Sequence, residues 1–230
     1  MKNTTSIASL GAALALLAFS TGARAQDSNT ARVGMYAVFY HTAADPVSGP
    51  FVPPGVSADV GNVQTVYLAY LRRLTSHLDL ELAAGVPPKT DTIGKGPAAL
   101  GTAPWNGVTV GTVKWFSPSL LLEYSFFDES AALRPFVGVG INFTHFFDRQ
   151  INAAGQAALG GPTYVTLTNS VGPVGTLGAV YHFMKHWSVN ASFSAAEIAT
   201  HLTANTDGIV RKSYVNFNPH ALVFAVGYSF

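Results

Sequence analysis

Asp79, Glu81 and Glu123 are the side chains best suited to chemistry, because carboxylates two apart on an extended segment project to one side. Arg72, Arg73 and Arg134 fall towards the same strand ends, so a paired-carboxylate site and a charge network both come into question. No nucleophile or acyl-transfer constellation accompanies them, which argues against an enzyme. Asp79, Glu81, Glu123 and Arg134 are therefore expected to form an internal network that plugs and stiffens one end of the fold, since an uncompensated inward charge is costly. The histidines His41, His77, His145, His182, His186, His201 and His220 show neither HxH nor HExxH spacing, and no cysteine joins them. That pattern points away from a metal centre. Gly138-Val139-Gly140 and Gly175-Thr176-Leu177-Gly178 look superficially like nucleotide loops, but they sit mid-strand with no helix after them, so no cofactor is expected.

The elements that must position these residues begin after an export leader. Lys2, the apolar run Ile7 to Phe19 and the small residues Ala23-Arg24-Ala25 have the order of a cleaved signal peptide, which assigns 1–25 to the leader and 26–230 to a single domain. Losing Lys2 and Arg24 takes the formal charge from +1 to −1, which leaves no basic footprint for nucleic acid. Charged residues make up only 11%, well below the quarter usual in soluble domains, yet no apolar run long enough for a spanning helix follows the leader. An exported, apolar, charge-poor chain without such a helix suggests a transmembrane β-barrel.

Period-two alternation supports this. From Leu222 to Phe230 the even positions Leu222, Phe224, Val226, Tyr228 and Phe230 are broad and apolar, while Ala221, Val223, Ala225, Gly227 and Ser229 are small. Similar segments run near Arg32 to His41, Asn62 to Leu71, Leu78 to Val86, Phe116 to Phe126, Arg134 to Phe147, Val171 to Phe183 and from Trp187 to Phe193. The first has apolar residues on both parities, so its facing stays open. Elsewhere the outward faces are apolar, and the inward ones are mostly Gly, Ser, Thr, Asn and carboxylates. A lipocalin-like barrel would reverse that polarity, so lipid is expected outside. Ala43 to Gly61, Pro87 to Thr112, Asp148 to Asn169 and Ala196 to Lys212 are expected as long loops, the third able to carry a short helix. Short turns alternate with them. The result is an all-β fold: an eight-stranded antiparallel transmembrane barrel with long extracellular loops and short periplasmic turns, in the outer membrane. Tyr70, Tyr124, Phe126, Tyr181, Trp187, Tyr228 and Phe230 would form its periplasmic aromatic girdle.

Leu78-Asp79-Leu80-Glu81-Leu82-Ala83-Ala84-Gly85, Leu120-Leu121-Leu122-Glu123-Tyr124, Arg134-Pro135-Phe136-Val137-Gly138-Val139-Gly140-Ile141-Asn142-Phe143-Thr144, Trp187-Ser188-Val189-Asn190-Ala191-Ser192 and Gly227-Tyr228-Ser229-Phe230 carry a resemblance. The chain from Arg32 onward resembles the OmpW/AlkL family of small outer-membrane barrels. That resemblance implies a channel for passive uptake of small hydrophobic molecules, with a narrow lumen, apolar near the outside and closed below, and lateral release into the membrane. Pro87, Pro88, Leu100, Trp105 and Phe146 gather near loop ends on the outer side, either as the lining of an apolar funnel or as packing within loops and girdle. The expected partners are outer-membrane lipid and lipopolysaccharide, small hydrophobic solutes and the barrel-assembly machinery, whose recognition signal Leu222, Phe224, Val226, Tyr228 and Phe230 resemble. A monomer is expected. The competing expectation is a non-transporting structural or surface-interaction barrel, acting through its loops in adhesion, phage or colicin reception, or stress resistance.

Overall fold

The computed structural model describes residues 28–230, so the expected leader lies outside the described residues. Eight strands form the barrel: β1 (Asn29–Tyr40), β2 (Val63–Arg73), β3 (Leu78–Gly85), β4 (Ser119–Ser125), β5 (Leu133–Ile151), β6 (Ser170–His182), β7 (Trp187–Ala196) and β8 (Pro219–Ser229). Each pairs antiparallel with its sequence neighbours, and β1 pairs with β8 from Thr30↔Ser229 to Tyr40↔Pro219, which closes the sheet on itself. Closure removes the edges that a bilayer would leave without hydrogen-bond partners.

The facing follows the alternation. Leu120, Leu122, Val137, Val139, Ile141, Leu177 and Val189 are exposed on the outer wall, as are Leu222, Phe224 and Val226 of β8. Their neighbours Leu121, Asn142, Thr176, Asn190, Val223 and Ala225 are buried in the lumen. At the short-turn end, Tyr124 meets Phe126 with ring centroids 5.2 Å apart, and Trp187 meets Tyr228 at 5.0 Å. His220 and Phe193 mark the opposite rim, so the apolar band between the rims is roughly 20 Å tall for tilted strands.

The open facing of the first strand is resolved. Arg32 and Val38 are buried, with Tyr36 and Tyr40 beside the lumen, while Val33, Met35 and Phe39 are exposed. Arg32 could have decided this in the sequence, because a charge on the lipid face is costly.

The long connections depart from expectation, since much of their length is strand. Residues 89–95 pair with 109–116, which pair in turn with the outer part of β5; 57–60 pair with 89–95. On the other side, 199–206 pairs with 163–167 and also with 209–216, and 199–206 and 209–216 form a tight hairpin. Proline and glycine mark where these segments bend, but between the bends Thr90, Val113 and Val215 still alternate inward and are buried. The pairing therefore carries the barrel wall beyond the membrane. The third connection contains helix α1 (Ala153–Leu159), capped by the Asn152 side chain, which accepts from the Gly155 amide at 2.9 Å.

Candidate functional site

The lumen holds a cavity of about 1030 Å³ of atom-free space, counted to its open mouth. Its upper part is an apolar collar of Val38, Val113, Trp115, Phe146, Ile198 and Phe217, all buried. Phe146 and Phe217 lie with centroids 5.5 Å apart, and the Trp115 indole donates to Thr90 Oγ1 at 2.9 Å, so no donor of that ring is left over. Polar wall residues bond mainly to one another: Asn142 Nδ2 donates to Ser117 Oγ at 2.9 Å, and Ser194 Oγ to Thr176 Oγ1 at 3.0 Å. Their mutual pairing lowers the polarity offered to a solute.

Below the collar the lumen is closed by charge. Arg32 Nη1 donates to Glu81 Oε2 at 2.6 Å and stands 3.7 Å from Glu123 Oε2. The Tyr67 hydroxyl donates to Glu81 Oε1 at 2.7 Å, and the Arg32 guanidinium lies 5.8 Å above the Phe136 ring. Arg32, Glu81 and Glu123 are 7%, 2% and 2% exposed. Glu123 reaches across because Gly138 faces it; a Cβ there would come 3.1 Å from Glu123 Cγ. Nearer the turns, Arg73 pairs with Asp79 at 3.5 Å and Glu129 at 3.7 Å.

Of the residues singled out in the sequence, Asp79, Glu81 and Glu123 come together inside the barrel. Arg134 is also buried, but it donates to the Ser76 and Phe127 carbonyls at 2.6 and 3.3 Å and so ties two turns together. Arg72 is on the outside, bonded to Asn29 Oδ1 at 2.8 Å. Phe146 joins the collar. Trp105 and Leu100 pack instead with Val56 and Val110 in a separate loop cluster, where the Trp105 indole donates to the Lys95 carbonyl at 3.0 Å. Sequence reasoning misses the central cation, Arg32, and the collar residues Trp115, Ile198 and Phe217, because Arg32 lies in a strand apolar on both parities and the others lie in loops or at strand margins.

Pro87 and Pro88 occupy an interruption in the wall. The β2–β3 ladder ends at Tyr67↔Gly85, with the Val86 amide still reaching the Val66 carbonyl at 3.0 Å. Pairing resumes only where the Gly61 amide meets the Asp91 carbonyl at 3.0 Å and Val60 faces Thr92. On the other side, the β3–β4 ladder ends at Ala83↔Ser119 and resumes at Lys89↔Lys114. Proline has no amide proton to give a ladder, and Pro118 stands within the second gap. Residues lining the cavity alternate along every strand, with one exception: Ala84 lines it as well as Ala83 and Gly85. Ala84 pairs with the lipid-facing Leu68, so at this seam the cavity reaches towards the outer face of the wall.

Among the described residues, no three His, Cys, Asp or Glu side chains gather as metal ligands would. His220 Nδ1 and His41 Nδ1 lie 3.0 Å apart on the outer rim.

A closed eight-stranded barrel, apolar outside, with a collared lumen and a charged floor, is an integral outer-membrane protein. Comparison with known proteins agrees. The model of the OmpW family matches residues 30–230, and the chain belongs to that family. It is 30% identical over 172 residues to Outer membrane protein W of Salmonella typhimurium, covering 75% of this chain and 76% of that one. The crystal structure of OprG from Pseudomonas aeruginosa superposes with a TM-score of 0.79 at 22% identity, covering 88% of this chain and 95% of that one. The structure of AlkL, determined in lipid bilayers, gives 0.63 at 16% identity, with 92% and 95% covered. Both share the fold.

Proposed function

We propose that the barrel takes up small hydrophobic molecules passively through its outer mouth and releases them sideways into the membrane at the Pro87–Pro88 seam. The observation that carries this reading is the cavity's reach to Ala84 where the ladder is interrupted. Two further features support it. The collar favours apolar solutes, while the Arg32–Glu81–Glu123 floor blocks a straight path to the periplasm. Eight strands leave room for one small ligand rather than a wide water channel. No catalytic step is required, and the buried carboxylates act in closure. The surroundings in this reading are outer-membrane lipid and lipopolysaccharide, and the barrel works as a monomer. Whole cells or vesicles with the barrel should admit an apolar solute faster than those without it; equal rates would remove the proposal.

The exposed rings of Phe51 and Tyr164, 85% and 80% accessible on the outer side, favour a second reading as a surface-interaction barrel. Replacing those loop tips should lower adhesion and leave permeability unchanged if that reading holds.

Assembly adds a further expectation. Leu222, Phe224, Val226, Tyr228 and Phe230 serve in this proposal as the address read by the barrel-assembly machinery. Phe230 also clasps the first strand, donating to the Asn29 carbonyl at 2.9 Å and accepting from its amide at 3.1 Å. Deleting Phe230 should reduce the amount of heat-modifiable barrel in outer-membrane fractions, and wild-type amounts would contradict this.

A further inference from the structure

The floor of the lumen carries an acceptor that the barrel leaves unfilled. Glu123 is 2% exposed and lines the cavity, yet its ion-pair partner, Arg32 Nη1, stands 3.7 Å away, beyond hydrogen-bonding reach. Glu81 takes the hydrogen bonds of both Arg32 and Tyr67. A buried carboxylate without donors loses its hydration and gains little in return. The floor also holds two carboxylates, Glu81 and Glu123, against the single Arg32 guanidinium, so it is poorly suited to an anion. Along β4, the four steps from Glu123 up to Ser119 span roughly 13 Å. A solute with its head at Glu123 would thus lay its body in the apolar collar and beside the seam at Ala84 and Gly85.

We propose, on the basis of the uptake reading above, that Glu123 is the head-group acceptor of this lumen. The preferred solutes are hydrophobic molecules with one hydrogen-bond-donating head, a hydroxyl or a protonated amine, rather than plain hydrocarbons, ethers or carboxylates. The donor caps the Glu123 carboxylate, and the apolar body displaces water from the collar.

Trp115 lines the same cavity and reports occupancy through its emission. The refolded barrel in detergent is titrated with 1-octanol, octylammonium, 1-methoxyoctane and octanoate, with Trp115→Phe identifying the lumenal signal. Octanol and octylammonium should half-saturate at free concentrations about tenfold below those of the ether and the carboxylate, the ratio expected for one hydrogen bond to a charged acceptor. In Glu123→Gln, checked for heat-modifiable folding, the amine should lose its advantage and the alcohol most of its own. Should that variant not fold, the wild-type ranking alone decides. Equal saturable binding of all four overturns the head-group assignment and leaves the uptake reading intact. Tightest binding of octanoate, or an unchanged ranking in Glu123→Gln, overturns it as well. No Trp115 response to any of the four removes both.

Discussion

Replacing Arg32 with Met should cost the barrel about 3–5 kcal/mol of unfolding free energy, the usual loss when one member of a buried ion pair is removed. Among the described residues, Arg32 is the one cation within ion-pair reach of both Glu81 and Glu123, at 2.6 and 3.7 Å. Without it, Glu81 keeps the Tyr67 hydroxyl, while Glu123 keeps no donor and stands near a second carboxylate on the adjacent strand. Urea titration in lipid vesicles, following the heat-modifiable band, measures the change. The triple variant Arg32→Met, Glu81→Gln, Glu123→Gln should recover most of the loss, because it removes the charges together instead of stranding two of them. A single-variant cost below about 1 kcal/mol would show that water from the cavity screens the floor, and that closure does not depend on this cluster.

Ala84→Trp should abolish most facilitated uptake while leaving the barrel folded. Ala84 pairs with the outward Leu68 and yet lines the cavity, so a large ring placed there fills the seam from the membrane side without entering the core. An indole at this level is tolerated by the membrane interface. Val139→Trp, on an outer position that is 70% exposed and away from the seam, is the matched control and should transport normally. Uptake at the wild-type rate in Ala84→Trp would move the exit elsewhere. Equal loss in both variants would trace the effect to the added ring rather than to the seam.

Particular residues show how far the sequence could be read. Asp79 and Glu81 among Leu78, Leu80 and Leu82 decide the facing of β3 without any structure, because a carboxylate and a leucine cannot exchange lipid and lumen at equal cost. The same reasoning was available at Arg32 but was obscured by Met35, Val38 and Phe39, which make both parities of β1 apolar. Proline-rich connections concealed strands, since composition registers the bends at Pro87 and Pro104 and not the pairing of 89–95 with 109–116 between them. Trp105 and Phe146 are alike in sequence terms, but one packs within a loop cluster and the other lines the lumen.

The barrel was legible in the residues alone: strand number, the facing of every strand but the first, the end bearing long connections and the membrane it suits. Those follow from side-chain period and from the cost of charge in lipid, both local properties. Where the lumen closes and where its wall is interrupted became visible only once the strands were paired. Arg32 meets Glu81 across 49 residues of chain, and the gap at Pro87–Pro88 exists only relative to the strands that fail to pair with it. Closure and release are relations between distant segments, fixed by register around the ring.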